Sequence, residues 1–492
     1  MRRLLIPIVL APALAVGCAQ RDKGTASTLA ALHDVRPDVE EATVEQGLEQ
    51  AMQGYRRFLE ETPETAMTPE AMRRLADLQL EKQFGIRVGD GKPREMAAAA
   101  PRTEMAAPEP APPPALDAGA AVAGVGQRES DQDFEARTTA ESGMLTGSDP
   151  VSSPAGPIAD PTGPLEAIAL YDRLLTEYPD YEHNDKVLYQ KARAYDELGR
   201  TEEAIETMER LIGANPHSEH HDEVQFRRGE YFFTRRQYRD AESAYSTIIG
   251  RGAGTEYYEL ALYKLGWTFY KQELYEEALH KYIALLDYKV SIGYDFDQTQ
   301  AEDDERRVAD TYRVISLSFS NLGGPDSVRE YFAEFGSRSY EDRVYSNLGE
   351  HYLAKLRYDD AAKTYKAFVA LYPFHRAAPH FSMRVAEVYA AGGFPKLVLE
   401  SKKAFAASYG LDSEYWRHFD IDGSPDVLGY LKTNLTDLAG HYHALYQDVA
   451  LGEERPANFQ EALRWYRAYL TSFPTDPGSP GVNHRLADLL LE

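Results

Sequence analysis

Hydrophobic and small residues recur along the chain in an order that predicts paired α-helices. Five segments carry an Ala, then Tyr or Met four residues later, then Pro twelve residues after the Ala. This spacing places the Ala and the larger residue on one helical face, and the Pro marks where that helix ends. The five segments are Ala51-Tyr55-Pro63, Ala167-Tyr171-Pro179, Ala204-Met208-Pro216, Ala361-Tyr365-Pro373 and Ala462-Tyr466-Pro474.

Another small residue stands thirteen positions after each of these prolines, at Ala76, Ala192, Gly229, Ala386 and Ala487. The step from Ala192 to Gly229 gives a repeat of 37 residues where the pattern is regular. A small residue on the apolar face of a helix lets a neighbouring helix approach closely. Because one helix pair cannot bury both of its faces, we expect successive pairs to stack.

This frame predicts an all-α protein, an α-solenoid of stacked helix hairpins with a long disordered insertion. A half repeat occupies about 40–63 within N-terminal repeat helices at 40–85, and the insertion at 86–162 separates these from the solenoid at 163–492. Regular pairs are predicted at 185–216, 222–253, 259–290 and 342–373, and looser pairs at 306–336, 379–410 and 430–474.

The pattern resembles the tetratricopeptide repeat (TPR), whose usual period is about 34 residues. The Tyr-Pro that closes several pairs is similar to periplasmic repeat proteins of the Tol–Pal and outer-membrane assembly systems. The resemblance covers roughly three quarters of the chain. It implies a stacked helical fold and a protein-binding function, without naming the partner.

The segment 86–162 is rich in Ala, Pro, Gly and Ser and lacks apolar periodicity, so we expect it to be disordered. Ala76 and Ala167 should be 12 residues apart in a hairpin but are 91 apart, which leaves 79 inserted residues. We therefore expect helices near 68–83 and 164–178 to pack antiparallel, with the insertion between them. The alternative is an interdomain linker that separates an N-terminal fragment from the solenoid.

The N-terminus carries the signals of an exported protein. Arg2 and Arg3 precede an apolar stretch that is too short to span a bilayer stably, and Cys18 is the only cysteine. The residues Ala15-Val16-Gly17-Cys18 resemble a bacterial lipobox. The resemblance implies a signal peptide at 1–17, lipidation of Cys18 and a tether at 18–39. Because the residue after Cys18 is not Asp, it implies the outer membrane; the alternative is an ordinary signal peptide.

Charge narrows the classes of partner. The chain has 53 Lys and Arg against 79 Asp and Glu, a formal net charge of −26. This charge argues against nucleic acid and against electrostatic docking on anionic lipid, and favours basic or neutral partners.

No arrangement of residues indicates catalysis, and no cofactor or metal is predicted. His217, His220 and His221 fall in a predicted loop, and the segment 420–426 lacks the closing Glu of a calcium loop. We therefore predict a non-catalytic scaffold at the outer membrane, facing the periplasm, that binds an envelope protein or peptide in complex assembly. The alternatives are a TPR regulatory part of an envelope enzyme and a peptidoglycan- or polysaccharide-binding module.

The resemblance also implies a partner-binding groove, lined by first-helix residues at fixed repeat positions. In three adjacent pairs these positions are rich in aromatic residues, which contribute strongly to protein interfaces. The alternative is that some of these side chains pack against loops or an adjacent pair. The predicted groove residues are Tyr189, Arg193, Phe226, Glu230, Phe233, Tyr263, Trp267, Tyr270 and Lys271.

The last eight residues, 485–492, match 74–81 at every position except Gln79. We expect either that the repeat array continues past Glu492 or that this segment is a capping helix. The outward-facing leucines of the segment do not suit a cap, and both interpretations stay open.

Overall fold

The structure, a computed structural model, describes residues 47–84, 129–144 and 162–492. The predicted signal peptide, the tether with Cys18 and most of the predicted insertion lie outside these residues. Within them the regular elements are helices: α1 to α19 and two short 3-10 helices. This confirms the all-α prediction.

The helices follow the predicted frame in order, with short connections inside the regular pairs. Their bounds are α1 Gly47–Glu61, α2 Thr68–Phe84, α3 Asp131–Met144, α4 Thr162–Glu177, α5 Asn184–Glu197, α6 Thr201–Ala214, α7 His221–Thr234, α8 Tyr238–Gly250, α9 Tyr258–Lys271, α10 Tyr275–Ser291, α11 Glu302–Leu322, α12 Pro325–Phe335, α13 Glu341–Ala354, α14 Tyr358–Leu371, α15 Ala378–Ala391, α16 Pro395–Tyr409, α17 Pro425–Gln447, α18 Arg455–Ser472 and α19 Ser479–Leu491. The 3-10 helices are Glu414–Arg417 and Val449–Leu451.

The chain divides into two compact units, Met1–Ala71 and Met72–Glu492. In the first unit, α1 buries Met52 and carries an exposed ion pair between Arg57 and Glu61 at 3.0 Å. The second unit holds the stacked pairs. The fold is therefore the predicted α-solenoid, and the rest of the description concerns this second unit.

Three of the four regular pairs are closed by an aromatic ring that lies over a glycine. A Cβ added to Gly229 would stand 2.4 Å from the ring of Tyr245. The same construction at Gly349 meets the ring of Tyr365 at 2.5 Å. The small residue of the repeat is thus required for the close approach of the two helices, as the sequence predicts.

A hydrogen bond between the two helices accompanies this contact. The Tyr365 hydroxyl donates to Glu350 at 2.7 Å, and the Tyr245 hydroxyl donates to Glu230. In both pairs the acid directly follows the glycine. The Tyr171 hydroxyl donates to Asp77 at 2.6 Å in the same way, although 94 residues separate them. This contact supports a hairpin interrupted by an insertion.

The described part of the insertion differs from the prediction. Asp131–Met144 forms the helix α3, so the expectation of disorder is wrong for these residues. Phe134 on this helix is fully buried and belongs to the main hydrophobic cluster of the second unit. The insertion therefore contributes to the packing of the repeats.

Candidate functional site

Tyr189 and Arg193 lie on α5 at the start of the predicted groove. The Tyr189 ring stacks on His220 with centroids 3.9 Å apart, and its hydroxyl donates to Glu223 at 2.8 Å. The Arg193 guanidinium lies 5.7 Å from the centroid of the Tyr189 ring. Burial and the Glu223 carboxylate raise the pKa of the Tyr189 hydroxyl above its usual range. Tyr189 is therefore held between α5 and α7 by side chains of the repeats themselves.

Three predicted groove aromatics are core residues. Phe226 is 1% exposed and contacts the rings of Tyr245 and Tyr257 at 5.7 and 5.4 Å. Phe233 and Tyr263 are buried in the same hydrophobic cluster. The prediction that these three side chains form an open apolar strip is wrong. Phe226 contacts Tyr257 in the connection to the next pair, which fits the alternative interpretation. Phe233 and Tyr263 instead contact second-helix rings of their own pairs, those of Tyr238 and Tyr282.

Glu230 serves the contact between pairs. It is 5% exposed, accepts the hydrogen bond from Tyr245, and lies 3.4 Å from Lys264 of the next pair. A buried carboxylate with these two partners links α7, α8 and α9. Its place in the structure is therefore that of a link between repeats.

Trp267, Tyr270 and Lys271 occupy the C-terminal half of α9, and here the face carries another segment of the chain. Trp267 is 2% exposed and its ring lies 5.5 Å from that of Phe134 on α3. Lys271 forms an ion pair with Glu135 of α3. Burial, and then the Glu135 carboxylate, raise the pKa of the Tyr270 hydroxyl. These three predicted residues come together, and their common neighbour is α3.

The start of α3 is stabilised by its own residues. The Ser130 hydroxyl accepts a hydrogen bond from the Asp133 backbone N–H at 3.1 Å and donates to the Asp133 carboxylate at 2.7 Å. A Ser followed three residues later by an acid is a helix-start signal. An isolated helix of this length is marginal in water, so its contacts with the repeats contribute to its stability.

Phe134 is the apolar anchor of α3. Its ring is covered by Trp267 on one helix and by the Arg313 guanidinium of α11, which lies 4.0 Å from the ring centroid. The Arg137 guanidinium, one turn further along α3, lies 5.4 Å from the same centroid. A cation over an aromatic face adds about 0.5–2 kcal/mol to what burial of the ring contributes.

Charged pairs surround this anchor. Arg137 donates two hydrogen bonds to the Asp310 carboxylate of α11, at 2.9 and 3.0 Å. Arg313 donates to the Glu129 carboxylate at 3.0 Å and to the Glu129 backbone carbonyl at 2.7 Å. Lys355, directly after α13, lies 2.8 Å from Asp131. We call Trp267, Lys271, Asp310, Arg313 and Lys355 the docking face.

The pKa values of the α3 acids reflect these contacts. The hydrogen bond from Arg137 holds the pKa of Glu129 below its usual value, with further lowering by Arg313. Burial alone would raise the pKa of Asp131, but Lys355 and Arg313 together lower it. Both carboxylates are therefore charged at neutral pH and complement the cations of the docking face.

Sequence reasoning missed Asp310, Arg313, Lys355 and the whole of α3. The groove positions were carried only as far as α9, and α3 has a single large apolar residue among its described side chains. The helix-start pair Ser130 and Asp133, followed directly by Phe134, was the signal available.

The candidate metal residues do not come together. Among the described residues no group of three or more His, Cys, Asp or Glu side chains could hold a metal ion. His220 stacks on Tyr189, and His221 is buried 3.3 Å from Asp222.

In the described ranges, no helix combines the length and apolar character needed to cross a bilayer.

Two family models, each described as a tetratricopeptide repeat, match residues 164–225 and 226–289. These ranges cover α4 to α7 and α7 to α10, so TPR units are present in this part of the chain. No curated protein sequence matches the chain.

Several solved structures are similar to the chain, each at low sequence identity and a low TM-score. The C-terminal part of a TPR repeat-containing protein from Cytophaga hutchinsonii is 17% identical, with 60% of this chain and 98% of that chain covered and a TM-score of 0.24. The apo form of RapI is 13% identical, with 69% of this chain and 97% of that chain covered and a TM-score of 0.27. The apo quorum sensor NprR from B. thuringiensis is 15% identical, with 66% of this chain and 94% of that chain covered and a TM-score of 0.25. Similarity this low does not indicate what the chain binds.

Proposed function

We propose that the protein is a non-catalytic scaffold that binds an envelope protein or peptide, anchored at the bacterial outer membrane through Cys18 and facing the periplasm. In this role it takes part in the assembly of envelope complexes. The observation that carries the proposal is α3 on the docking face, because the contact has the composition of a helix-binding site. One aromatic anchor is buried at its centre, and charged pairs surround it.

The TPR matches support binding as the general activity, and the lipobox-like residues support the location. The lipid anchor and the binding activity are separate parts of the proposal, so each has its own experiment.

The binding role is tested by photo-crosslinking in cells. A benzoylphenylalanine replaces Lys355 on the docking face, and a matched variant carries it at Lys363 on α14, which is 61% exposed and pairs only with Asp359 at 2.6 Å among the ion pairs seen. We expect discrete higher-mass adducts from position 355, identified by mass spectrometry, and none from position 363. Identical adducts from both positions, or none from either, would contradict a specific scaffold.

The anchor is tested by Cys18→Ser followed by fractionation of the cells. We expect the unaltered protein in the membrane pellet and the variant in the soluble periplasmic fraction. An unchanged membrane pellet for the variant would contradict attachment through Cys18 and leave the binding result unaffected.

A further inference from the structure

The face that α3 covers is not complete without it. Lys271, Arg313 and Lys355 come from α9, α11 and the end of α13, and each pairs with an acid of the α3 segment. Asp310 accepts two hydrogen bonds from Arg137. Three cations and one acid on this face therefore pair with a single short segment, α3 and the two residues before it.

The spacing of the α3 residues defines what the face accepts. The aromatic anchor Phe134 has an acid three residues before it and another one residue after it, and Arg137 follows three residues after. The anchor fits between Trp267 and Arg313, and the flanking charges are opposite in sign to those they meet. A helix from another protein with these four groups would make the same contacts, apart from those that Glu129 makes with Arg313 and Arg137.

The α3 contact is also weak enough to be exchanged. Phe134 is the only large apolar side chain that α3 buries among its described residues. The ion pairs around it are partly exposed: the side chains of Lys355, Asp131 and Arg137 are 42%, 36% and 30% accessible. An exposed pair such as Lys355–Asp131 contributes roughly 0–1 kcal/mol. The bidentate Arg137–Asp310 pair, whose carboxylate is largely buried, is the stronger of the two.

Covalent attachment compensates for this weakness. Residues 85–130 and 145–161 connect α3 to α2 and α4, so its docking is an intramolecular event with an effective concentration of its own. A helix that binds with only moderate affinity is then docked most of the time. A partner helix displaces α3 only if its concentration divided by its Kd exceeds the same ratio for the tethered α3, so the response depends on partner affinity.

We infer that the docking face is a binding site for a partner helix that carries an aromatic anchor, an acid three residues before it, an acid directly after it and an Arg three residues after it. α3 occupies this site until such a helix displaces it. The inference rests on the proposed binding function and specifies the chemistry of the partner.

The test uses the full chain and a labelled synthetic peptide of residues 127–142. The chain variant Phe134→Ala, Arg137→Ala weakens docking of α3 and leaves the docking face intact. By fluorescence anisotropy we expect this variant to bind the peptide at least tenfold more tightly than the unaltered chain does. Adding Arg313→Ala should reduce that binding at least tenfold, and a peptide with Phe134→Ala should not bind. Circular dichroism establishes that each variant is folded.

The partner class is tested with a second peptide, in which the residues at 131, 134, 135 and 137 are kept and Ala stands elsewhere. We expect it to bind within about threefold of the first peptide. In the unaltered chain, excess peptide should also speed hydrogen exchange of amides 131–138. Equal binding by the unaltered and α3-weakened chains, or unchanged exchange, would overturn the inference.

A second copy of the chain is the main competing occupant. Concentration-dependent dimerisation of the unaltered chain that Phe134→Ala abolishes would assign the face to self-association and overturn the inference. If the peptides bind as expected but the cellular crosslinks are absent, the proposed scaffold role in the envelope fails, while the assignment of the docking face as a helix-binding site stands. If crosslinks form but no peptide binds, only the inference fails.

Discussion

The N-terminal end of the predicted groove and the docking face complete their charge pairs differently. Between α5 and α7, Arg227 pairs with Glu223 at 3.0 Å and with Asp196 at 3.7 Å. On α11 and after α13, Arg313 and Lys355 pair with acids of α3. At the N-terminal end the charged side chains therefore pair with other repeat residues. On the docking face they pair with a segment from elsewhere in the chain. Similar helix pairs thus differ in whether the charged side chains on their surface pair within the repeats or with an additional segment.

The largest expected effect compares one buried aromatic from each end. Phe226→Ala and Trp267→Ala should each lower the free energy of unfolding by about 3–5 kcal/mol, because both side chains are almost fully buried. Urea unfolding measures this loss. Only Trp267→Ala should also release α3, seen as faster hydrogen exchange at 131–138. Equal exchange in both variants would remove the distinction between the two ends.

The glycine under the tyrosine ring should contribute equally to the free energy of unfolding in the pair of α7 and α8 and in the pair of α9 and α10. Gly229→Ala and Gly266→Ala place a Cβ 2.4 and 2.6 Å from the rings of Tyr245 and Tyr282, and each should cost about 1–3 kcal/mol of stability. The control is Gly440→Ala, where no atom lies within 4 Å, and it should stabilise its helix by about 0.5–1 kcal/mol. Calorimetric melting distinguishes these outcomes. A neutral Gly266→Ala would mean that the pair under the docking face is packed more loosely.

Removing one arginine from each end separates α3 docking from repeat stacking. Arg313→Ala should increase hydrogen exchange at 131–138 at least tenfold, equivalent to about 1.4 kcal/mol, with little change in the urea midpoint. Arg227→Ala should lower the free energy of unfolding by about 1 kcal/mol and leave exchange in α3 unchanged. The reverse pattern would show that the charges at the two ends have the opposite roles.

His351 provides a pH-dependent probe of the α3 end. Burial, and then the positive charge of Lys355, lower the pKa of His351 to about 4, although Asp131 opposes this and Arg313 and Arg357 add to it. Because the pKa is depressed in the folded state, its contribution is complete above about pH 6.5 and is lost as the pH falls towards 4. We expect about 1 kcal/mol of stability to be lost between pH 6.5 and 5 after allowance for solvent screening. The loss should be smaller in His351→Gln and unchanged in the exposed control His484→Gln. Urea midpoints across this range provide the measurement.

The smallest expected effect concerns the turn next to the docking face. Leu356 has a φ of 58° and is 70% exposed, while Gly199 occupies the corresponding turn of α5 and α6 with a φ of 70°. Leu356→Gly should stabilise the chain by about 0.5–1 kcal/mol, since relief of the left-handed conformation exceeds the added freedom of the unfolded chain. Glu273→Gly, at a φ of 61°, is the matched variant in another pair. Destabilisation by Leu356→Gly alone, in thermal melts, would indicate a packing role for the leucine.

The sequence predicted the helix pairs well because their spacing is imposed by local packing. Gly349 and Tyr365 must meet, and a repeat that places them at a fixed distance can be recognised without knowing the rest of the fold. The groove residues were harder, because burial of Phe226 depends on the neighbouring pair. α3 could not be recognised by periodicity, since its conformation depends on a distant surface and its anchor is a single residue, Phe134.

The contact between Asp77 and Tyr171 also has a consequence for the order in which the chain folds. In the other pairs, the two helices are joined by a few residues and can form early and locally. Here the connection is roughly twenty-five times longer, and the added loop entropy costs about 2–3 kcal/mol. We therefore expect α5 to α10 to form the first stable nucleus during refolding, and the hairpin of α2 and α4 to close late. Once α3 has docked, it fixes the middle of the connection and so reduces the loop entropy that is still lost when α2 and α4 come together.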